Sequence, residues 1–384
     1  MKISILYILT FLIISAVSCS NRDPSGRLLG DREECGHARH ARGFCIEDHP
    51  GYRKVSVFNP WQGAGNRVFR YYLVDRDDPV PPGIDKNRVI RTPVESIICL
   101  STTHVALIDQ LGKTGTITAV SNPQLINNPE LKKRYESGYL TDIGYEHNLD
   151  YEKILSLHPD IVMVYGVGGE ASGYVERLEE LGISVVLNGE YLEPTPLAQA
   201  EWVKFVAAFF GLDELAEEKF IETEKNYHEL ALLASSVEEK PVVMAGLPWR
   251  NSWFVPGGRS FFATLVSDAG GDYIWKNNPS RENFPIDMEI MFEAGDRADI
   301  WLNTGSAVST NEIINVDNRL SSMPPYLNGN IYNNIARVNR HGGNDYWEKG
   351  ITEPHVILKD LVHILHPSLL PGHELVYYKK LDVR

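Results

Sequence analysis

The feature that most constrains this fold is a long helical pattern near the middle of the chain, at residues 213–238. It contains no Gly or Pro, and Asp213 is positioned to cap its start. Apolar residues recur at three- and four-residue steps through Phe220, Tyr227 and Ala234, so one stripe should face a core. At 1.5 Å per residue, about 25 residues span roughly 37 Å, which is a domain diameter. The pattern therefore predicts a rod that can hold two lobes at a fixed separation.

The sequences on the two sides of this rod follow one plan. One copy begins at Asn148 (NLDYEKILSLHPDIVMVY) and the other at Phe284 (FPIDMEIMFEAGDRADIWLN). Each has an Asp suited to cap a helix, a Glu two residues later (Glu152 or Glu289), an apolar helix and then an Asp before a strand. This predicts an α/β fold of two Rossmann-like lobes joined by one long α-helix, with a ligand cleft between the lobes.

The chain of 384 residues is long enough for two ordinary domains. Within the lobes we expect one helix over residues 194–211 and a strand at residues 336–338. The predicted boundaries are a lipoprotein signal peptide at 1–18, a tether and cysteine-bracketed segment at 19–54, a β-hairpin extension at 55–90, an N-terminal lobe at 91–211, the linking helix at 212–238 and a C-terminal lobe at 239–384.

The first 18 residues, MKISILYILTFLIISAVS, predict export. A single Lys precedes an apolar run of signal-peptide length, and small residues lead directly to Cys19. This resembles the bacterial lipoprotein signal, in which the cysteine is lipidated, although Ala16 stands where that signal more often has Leu. The alternative is a cleaved secretory signal with an incidental cysteine. We expect a periplasmic protein that a lipid on Cys19 anchors to the membrane.

The net charge argues against one class of partner, and the cysteine spacing argues against a zinc site. A formal net charge of −14 argues against nucleic-acid binding, which requires concentrated Lys and Arg. Cys35 and Cys45 bracket GHARHARGF, and in an exported protein they form either a disulfide or free thiols. His37 and His40 lie between them, but this arrangement matches no standard zinc spacing. We therefore predict no metal site.

Motifs for catalysis are missing from the sequence. It has no G-x-S-x-G nucleophile elbow and no HExxH. Residues 166–171 fit G-x-G-x-x-A after a strand, but Glu170 would repel a pyrophosphate, so we interpret this run as a turn on a cleft rim. We expect no catalytic residue and no cofactor.

Aromatic residues follow several predicted strands, where open α/β sheets bind ligands. Aromatic side chains from both lobes would grip a flat, partly apolar ligand. For Trp253 and Trp347 the alternative is packing within the cleft walls, and His104 either reaches the cleft or is structural. The predicted ligand-contacting residues are Tyr165, Trp249, Phe284, Trp347, Trp253 and His104.

About three quarters of the chain, from Glu95 onward, resembles the helical-backbone class of substrate-binding proteins of ABC importers. This class delivers ferric siderophores, haem and cobalamin. The resemblance is carried by ESIICLSTTHVALIDQLGKTGTITAVS, NLDYEKILSLHPDIVMV, RLEELGISVV, FFATLVSDAGGDYIW and LVHILHPSL. It implies that Glu152 and Glu289 dock on arginines of the permease. It also implies that the aromatics at 165, 249, 284 and 347 lie at pocket positions of cobalamin binders.

The resemblance implies a binding protein, not an enzyme. Its ligand would be a bulky metal chelate, namely a ferric siderophore, haem or cobalamin. Its partners would be an ABC permease and the ATPase of that importer. The alternative is an exported chelatase-like enzyme acting on a tetrapyrrole, with His104 as its base.

Overall fold

The computed structural model describes residues 37–145, 148–166, 171–249 and 252–382, without the side chains of residues 171 and 172. Several predictions lie outside this part of the chain: the signal peptide at 1–18, lipidation of Cys19, the state of Cys35 and most of the turn at 166–171. Cys45 is disulfide-bonded, and Cys99 is a free, buried thiol. None of the described helices combines the length and apolar character that crossing a membrane requires.

A four-stranded sheet precedes the first lobe. Strands β2 and β3 form an antiparallel hairpin, β1 widens it on one side, and β4 pairs in parallel with β3 on the other. β1 and the first residues of β2 therefore lie within 19–54, which we assigned to the tether and cysteine-bracketed segment. Phe44 of β1 packs edge-on against Trp202 of the N-terminal lobe at 5.0 Å. The strands are β1 (Phe44–His49), β2 (Tyr52–Phe58), β3 (Val68–Asp75) and β4 (Val89–Thr92).

The N-terminal lobe is a parallel five-stranded sheet in the order β11-β10-β5-β6-β7. Its strands are β5 (Ile97–Cys99), β6 (Ile117–Val120), β7 (Thr141–Asp142), β10 (Ile161–Val164) and β11 (Val185–Leu187), and a separate short pair is β8 (Gly144–Tyr145) with β9 (Asn148–Leu149). Its helices are α1 (Thr102–Gln110), α2 (Pro129–Glu136), α3 (Tyr151–Ser156), α4 (Ala171–Glu180), α5 (Pro196–Ala200) and α6 (Trp202–Ala208).

The sheet has an apolar core on each face because successive strand residues point to opposite sides. Ile97 and Cys99 of β5 belong to one buried cluster, and Ile98 belongs to the other. The single helix predicted over 194–211 is wrong. Two helices, α5 and α6, occupy this stretch, and the break falls at Glu201. Its carboxylate binds the segment before β1, residues 37–43, which we call the N-terminal extension.

The linking helix α7 spans Asp213–Ser235, and its predicted apolar stripe is buried at Ala216, Phe220, Tyr227 and Ala234. Asp213 is not the N-cap. Leu212 occupies that position without a side-chain hydrogen bond. The carboxylate of Asp213 instead pairs with Arg53 of β2. Nη1 of Arg53 lies 2.7 and 2.8 Å from the two carboxylate oxygens of Asp213.

The C-terminal lobe has a second five-stranded sheet in the order β14-β12-β16-β17-β18, parallel except for the last pair. Its strands are β12 (Val242–Ala245), β14 (Asp272–Tyr273), β16 (Ile300–Leu302), β17 (Ile331–Asn333) and β18 (Lys379–Lys380), and a separate antiparallel pair is β13 (Trp253–Val255) with β15 (Phe284–Ile286). Its helices are α8 (Phe261–Asp268), α9 (Met288–Gly295), α10 (Thr310–Val316), α11 (Pro324–Leu327) and α12 (Pro354–Leu365).

The strand predicted at residues 336–338 is wrong, because β17 lies earlier, where Ile331 is fully buried. Only a single bridge, between Val338 and Asn344, forms in the predicted stretch. The aspartates before β10 and β16 have the same role in the two lobes, as the repeated sequence pattern predicts. Asp160 accepts a hydrogen bond from the backbone N–H of Ser96, beside β5, and Asp299 accepts one from that of Val242 in β12.

Candidate functional site

The carboxyl edges of the two sheets face each other. Parallel strands place all their carboxyl ends at one edge of a sheet. The loop after β6 meets the loop after β17, where Asn339 Nδ2 donates to the carbonyl oxygens of Gln124 and Ile126 at 3.1 and 3.3 Å. In the same place, Glu348 accepts hydrogen bonds from the backbone N–H groups of Asn127 and Asn128. The ligand cleft of this two-lobed fold therefore lies between the residues that follow the strands.

The wall of the N-terminal lobe is built from the loops after β5, β10 and β11. Ser101 caps α1 by accepting a hydrogen bond from the backbone N–H of Thr103. The next residue, His104, meets the ring of Tyr165 edge-on at 6.3 Å, and Tyr165 meets Tyr191 at 6.5 Å. Two predicted site residues, His104 and Tyr165, are thus brought together.

His104 is fully buried, and its Nδ1 and Nε2 form no hydrogen bond of good geometry within the described residues. Burial lowers the pKa of His104 to about 3, and a weak interaction with the Met163 backbone opposes this only slightly. The imidazole is therefore neutral at neutral pH, and its burial against the ring of Tyr165 fits the structural alternative.

Glu190 was not among the predicted ligand contacts, although it lies in the loop after β11. Its side chain is buried, and its Oε2 has no hydrogen-bond partner among the described residues. Burial raises the pKa of Glu190, against the opposing effects of the Thr103 hydroxyl and the backbone N–H groups of Glu190 and Tyr191. Its place after a strand was a usable signal, since ligands bind at strand carboxyl ends.

The wall of the C-terminal lobe carries exposed aromatic rings. Trp249, which follows β12, is 64% exposed, and Trp347, in the loop after β17, is 49% exposed. Trp347 packs edge-on against Tyr346 at 4.6 Å. Phe284 is partly buried and lies edge-on to Trp275 at 6.2 Å. Two large indole surfaces on this lobe are therefore available for contact.

Trp253 does not belong to this surface. Its exposed fraction is 0%, its Nε1 donates to the carbonyl oxygen of Ala245 at 3.1 Å, and its ring lies 5.7 Å from that of Trp301. A buried indole whose only polar group is bonded inside the lobe has no surface left for a ligand. We therefore remove Trp253 from the ligand-contacting set.

A further polar group missed by the sequence analysis is Thr304, which lies just beyond β16. It is fully buried, and its Oγ1 has no partner among the described residues. Like Glu190, it lies near the carboxyl end of a strand, although β16 is central in its sheet and β11 is at an edge. Within the described residues, each lobe thus has a buried oxygen without a partner near this edge, and Oδ1 of Asn303, beside Thr304, is another.

Glu152 and Glu289 occupy matching places in the two lobes. Both are exposed and lie in the first turns of α3 and α9, helices that begin at the carboxyl edges of their sheets. Asp150 caps α3 by accepting from the backbone N–H of Lys153 at 3.0 Å. Exposed apolar residues accompany both glutamates on the same helices, namely Leu155 and Ile290.

Comparison with known proteins places this geometry in context. An uncharacterized lipoprotein of Methanocaldococcus jannaschii is 25% identical over 350 residues, which cover 85% of this chain and 82% of that protein. A periplasmic heme binding protein from Pseudomonas aeruginosa superposes with a TM-score of 0.57 at 16% identity, covering 76% of this chain and 99% of that one.

The periplasmic vitamin B12 binding protein of Vibrio cholerae superposes with a TM-score of 0.50 at 13% identity, covering 71% of this chain and 96% of that one. The sequence profile of the periplasmic binding protein family matches residues 97–333, which include most of both lobes and all of the linking helix. This chain therefore belongs to the periplasmic binding protein family, and it shares the fold of these heme and vitamin B12 binding proteins, two α/β lobes joined by one long helix.

Proposed function

We propose that this protein captures a bulky metal chelate, namely haem, a ferric siderophore or cobalamin, between its lobes and delivers it to an ABC permease and the associated ATPase. The observation that carries this proposal is the pair of exposed indoles, Trp249 and Trp347, on the lobe edge that faces Tyr165 and Tyr191. Large aromatic faces on opposing walls suit a flat, partly apolar ligand.

The buried polar oxygens support the same assignment. Glu190 Oε2 and Thr304 Oγ1 each lack a partner among the described residues. A buried polar atom without a hydrogen bond is costly, so a ligand that supplies a donor would gain affinity there. A corrin side-chain amide can supply one, and so can a haem propionic acid in its protonated form.

Docking on the permease would use Glu152 and Glu289. Carboxylates on the two lobes can pair with arginines of a two-fold symmetric partner through charge-assisted hydrogen bonds. The exposed side chains of Leu155 and Ile290 would add apolar contact around each acid. A lipid on Cys19 would hold the protein at the membrane outside the cytoplasm.

The chelatase alternative depends on His104 as a base. Its burial and its pKa of about 3 make it a weak base for a reaction at neutral pH. We therefore favour binding over catalysis.

A thermal-shift screen of the purified protein tests this proposal. A ligand that binds the native state raises the melting temperature in a concentration-dependent way. We expect a rise with haemin, cyanocobalamin or one ferric siderophore, and none with the metal-free siderophore. No shift with any of these chelates at saturating concentration would count against the proposal.

A further inference from the structure

Three side chains that can bind a metal ion meet where the N-terminal extension crosses the linking helix. His40 comes from the extension, and Glu224 and His228 come from α7. One ligand atom from each lies within 4.8 Å of the other two. Since residues four apart lie on one face of a helix, Glu224 and His228 both point toward the extension. His40 Nε2 is already 2.6 Å from Glu224 Oε1.

The backbone at His40 is fixed from below by a buried carboxylate. Glu201 Oε2 accepts hydrogen bonds from the backbone N–H groups of His40 and Ala41 at 2.6 and 2.8 Å. Its Oε1 accepts one from Arg39 at 2.8 Å. The backbone of His40 is therefore held beside α7 without using its imidazole, and ligands positioned in this way are suited to metal binding.

Charges around the three side chains both favour and oppose a cation. Arg39 Nη2 lies 3.5 Å from Glu224 Oε2 and 2.7 Å from Glu217 Oε1. The carboxylates of Glu224 and Glu217 therefore favour a cation here, and Arg39 competes with it for the second oxygen of Glu224.

We propose that His40, Glu224 and His228 form a site for a divalent transition metal ion, best suited to Zn²⁺, which fastens the extension to the linking helix. Two imidazole nitrogens and one carboxylate oxygen are a common protein ligand set for zinc, with water in the fourth position. Metal–ligand bonds of about 2.0–2.1 Å place ligand atoms about 3.3 Å apart, so small rotamer changes close the site. This site is separate from the cleft and does not depend on the proposed transport function.

The test uses the full chain without a polyhistidine tag, stripped with EDTA and titrated with ZnSO₄ by isothermal titration calorimetry. We expect one strong site per chain and a melting temperature that rises with Zn²⁺. His228→Ala and Glu224→Gln should each weaken binding about tenfold or more, since loss of a ligand costs at least as much as loss of a residue supporting one. His37→Ala is the matched control, because His37 lies in the same extension and its imidazole hydrogen-bonds to Asp48, at 3.2 Å, rather than to the three proposed ligands.

Arg39→Gln should change Zn²⁺ affinity in the opposite direction to the two ligand variants. Removing a positive charge beside Glu224 should strengthen Zn²⁺ binding, whereas a site elsewhere would not respond. Bound Co²⁺ should show the intense visible absorption of a four-coordinate ion, and His228→Ala should abolish it. Equal Zn²⁺ affinity in the wild type, His228→Ala and Glu224→Gln would overturn the proposal, as would a wild type that binds no ion.

Discussion

Glu348 and Asn128 join the two lobes, because the buried carboxylate of Glu348 accepts a hydrogen bond from the backbone N–H of Asn128 at 2.8 Å. The other oxygen of Glu348 accepts from the backbone N–H of Asn127 at 2.5 Å. Burial raises the pKa of Glu348 to about 7, although these two hydrogen bonds favour the ionised form. The contact between the lobes therefore contains a group that titrates near neutral pH.

Glu348→Gln should reduce the pH dependence of folding stability. The folded pKa of about 7 exceeds the ordinary value of 4.5, so the folded chain keeps a proton that the unfolded chain releases. This contribution to stability is complete below the unfolded pKa and is lost as pH rises to about 7, with a change on the order of 3 kcal/mol. Urea denaturation at several pH values measures it. A constant difference in unfolding free energy between the two proteins across this range would contradict the assignment.

Glu201→Ala should destabilise the protein by about 3 kcal/mol or more, because it removes a fully buried acid that holds the extension. The carboxylate binds three backbone N–H groups and the Lys204 ammonium, whose Nζ lies 3.0 Å from Oε1. Chemical denaturation gives the value. Glu180→Ala is the control, since Glu180 forms only an exposed ion pair with Arg177 and should change stability by less than about 0.5 kcal/mol. Equal effects of the two variants would refute the anchoring role.

Gly43→Ala should also loosen the extension. An added Cβ would lie 2.7 Å from Cζ2 of Trp202, a fully buried ring that has little room to move. Overpacking of this kind costs about 2 kcal/mol. Gly115→Ala meets nothing within 4 Å and serves as the control. The melting temperature should fall in Gly43→Ala and stay at the wild-type value in Gly115→Ala. A Gly43→Ala protein as stable as wild type would show that the extension is not packed as described.

Reversing the charge of both Glu152 and Glu289 should impair delivery to the permease without changing ligand affinity. The two acids are exposed and lie on separate lobes, so neither should affect folding. Binding of the ligand-loaded protein to its permease in nanodiscs measures the effect, with Glu176→Lys as an exposed control on α4. We expect at least a tenfold loss, because the interface would lose two charge-assisted pairs. Lost ligand affinity, or unchanged permease binding, would show that the two glutamates do not dock.

The main architecture was predictable because its signals are local. A stretch without Gly or Pro predicted the helix that is observed over Asp213–Ser235. Repeated strand–helix patterns predicted the two lobes. The strand at Ile331–Asn333 was missed because three residues are too few to show a period. The role of Asp213 was mistaken because its partner, Arg53, is 160 residues away in the sequence.

The candidate site was less predictable because burial depends on packing between distant segments. Trp249 and Trp253 follow the same strand and are the same residue type, yet one is exposed and the other lies in the core. The position of Glu190 after a strand was visible in the sequence, but the burial of its carboxylate was not. His40 was considered for metal binding only with its sequence neighbours, whereas Glu224, on the linking helix, is 184 residues away.

The central claim is that the ligand is held between the aromatic residues of the two facing sheet edges. The most direct test is to titrate the double variant Trp249→Ala/Trp347→Ala with the chelate that stabilises the wild type. Tryptophan fluorescence and calorimetry measure the affinity. The control is Tyr139→Ala, an aromatic that is 77% exposed and precedes β7, at the opposite edge of its sheet. We predict at least a tenfold loss of affinity in the double variant, from loss of stacking area, and none in the control. Wild-type affinity in the double variant would contradict the claim.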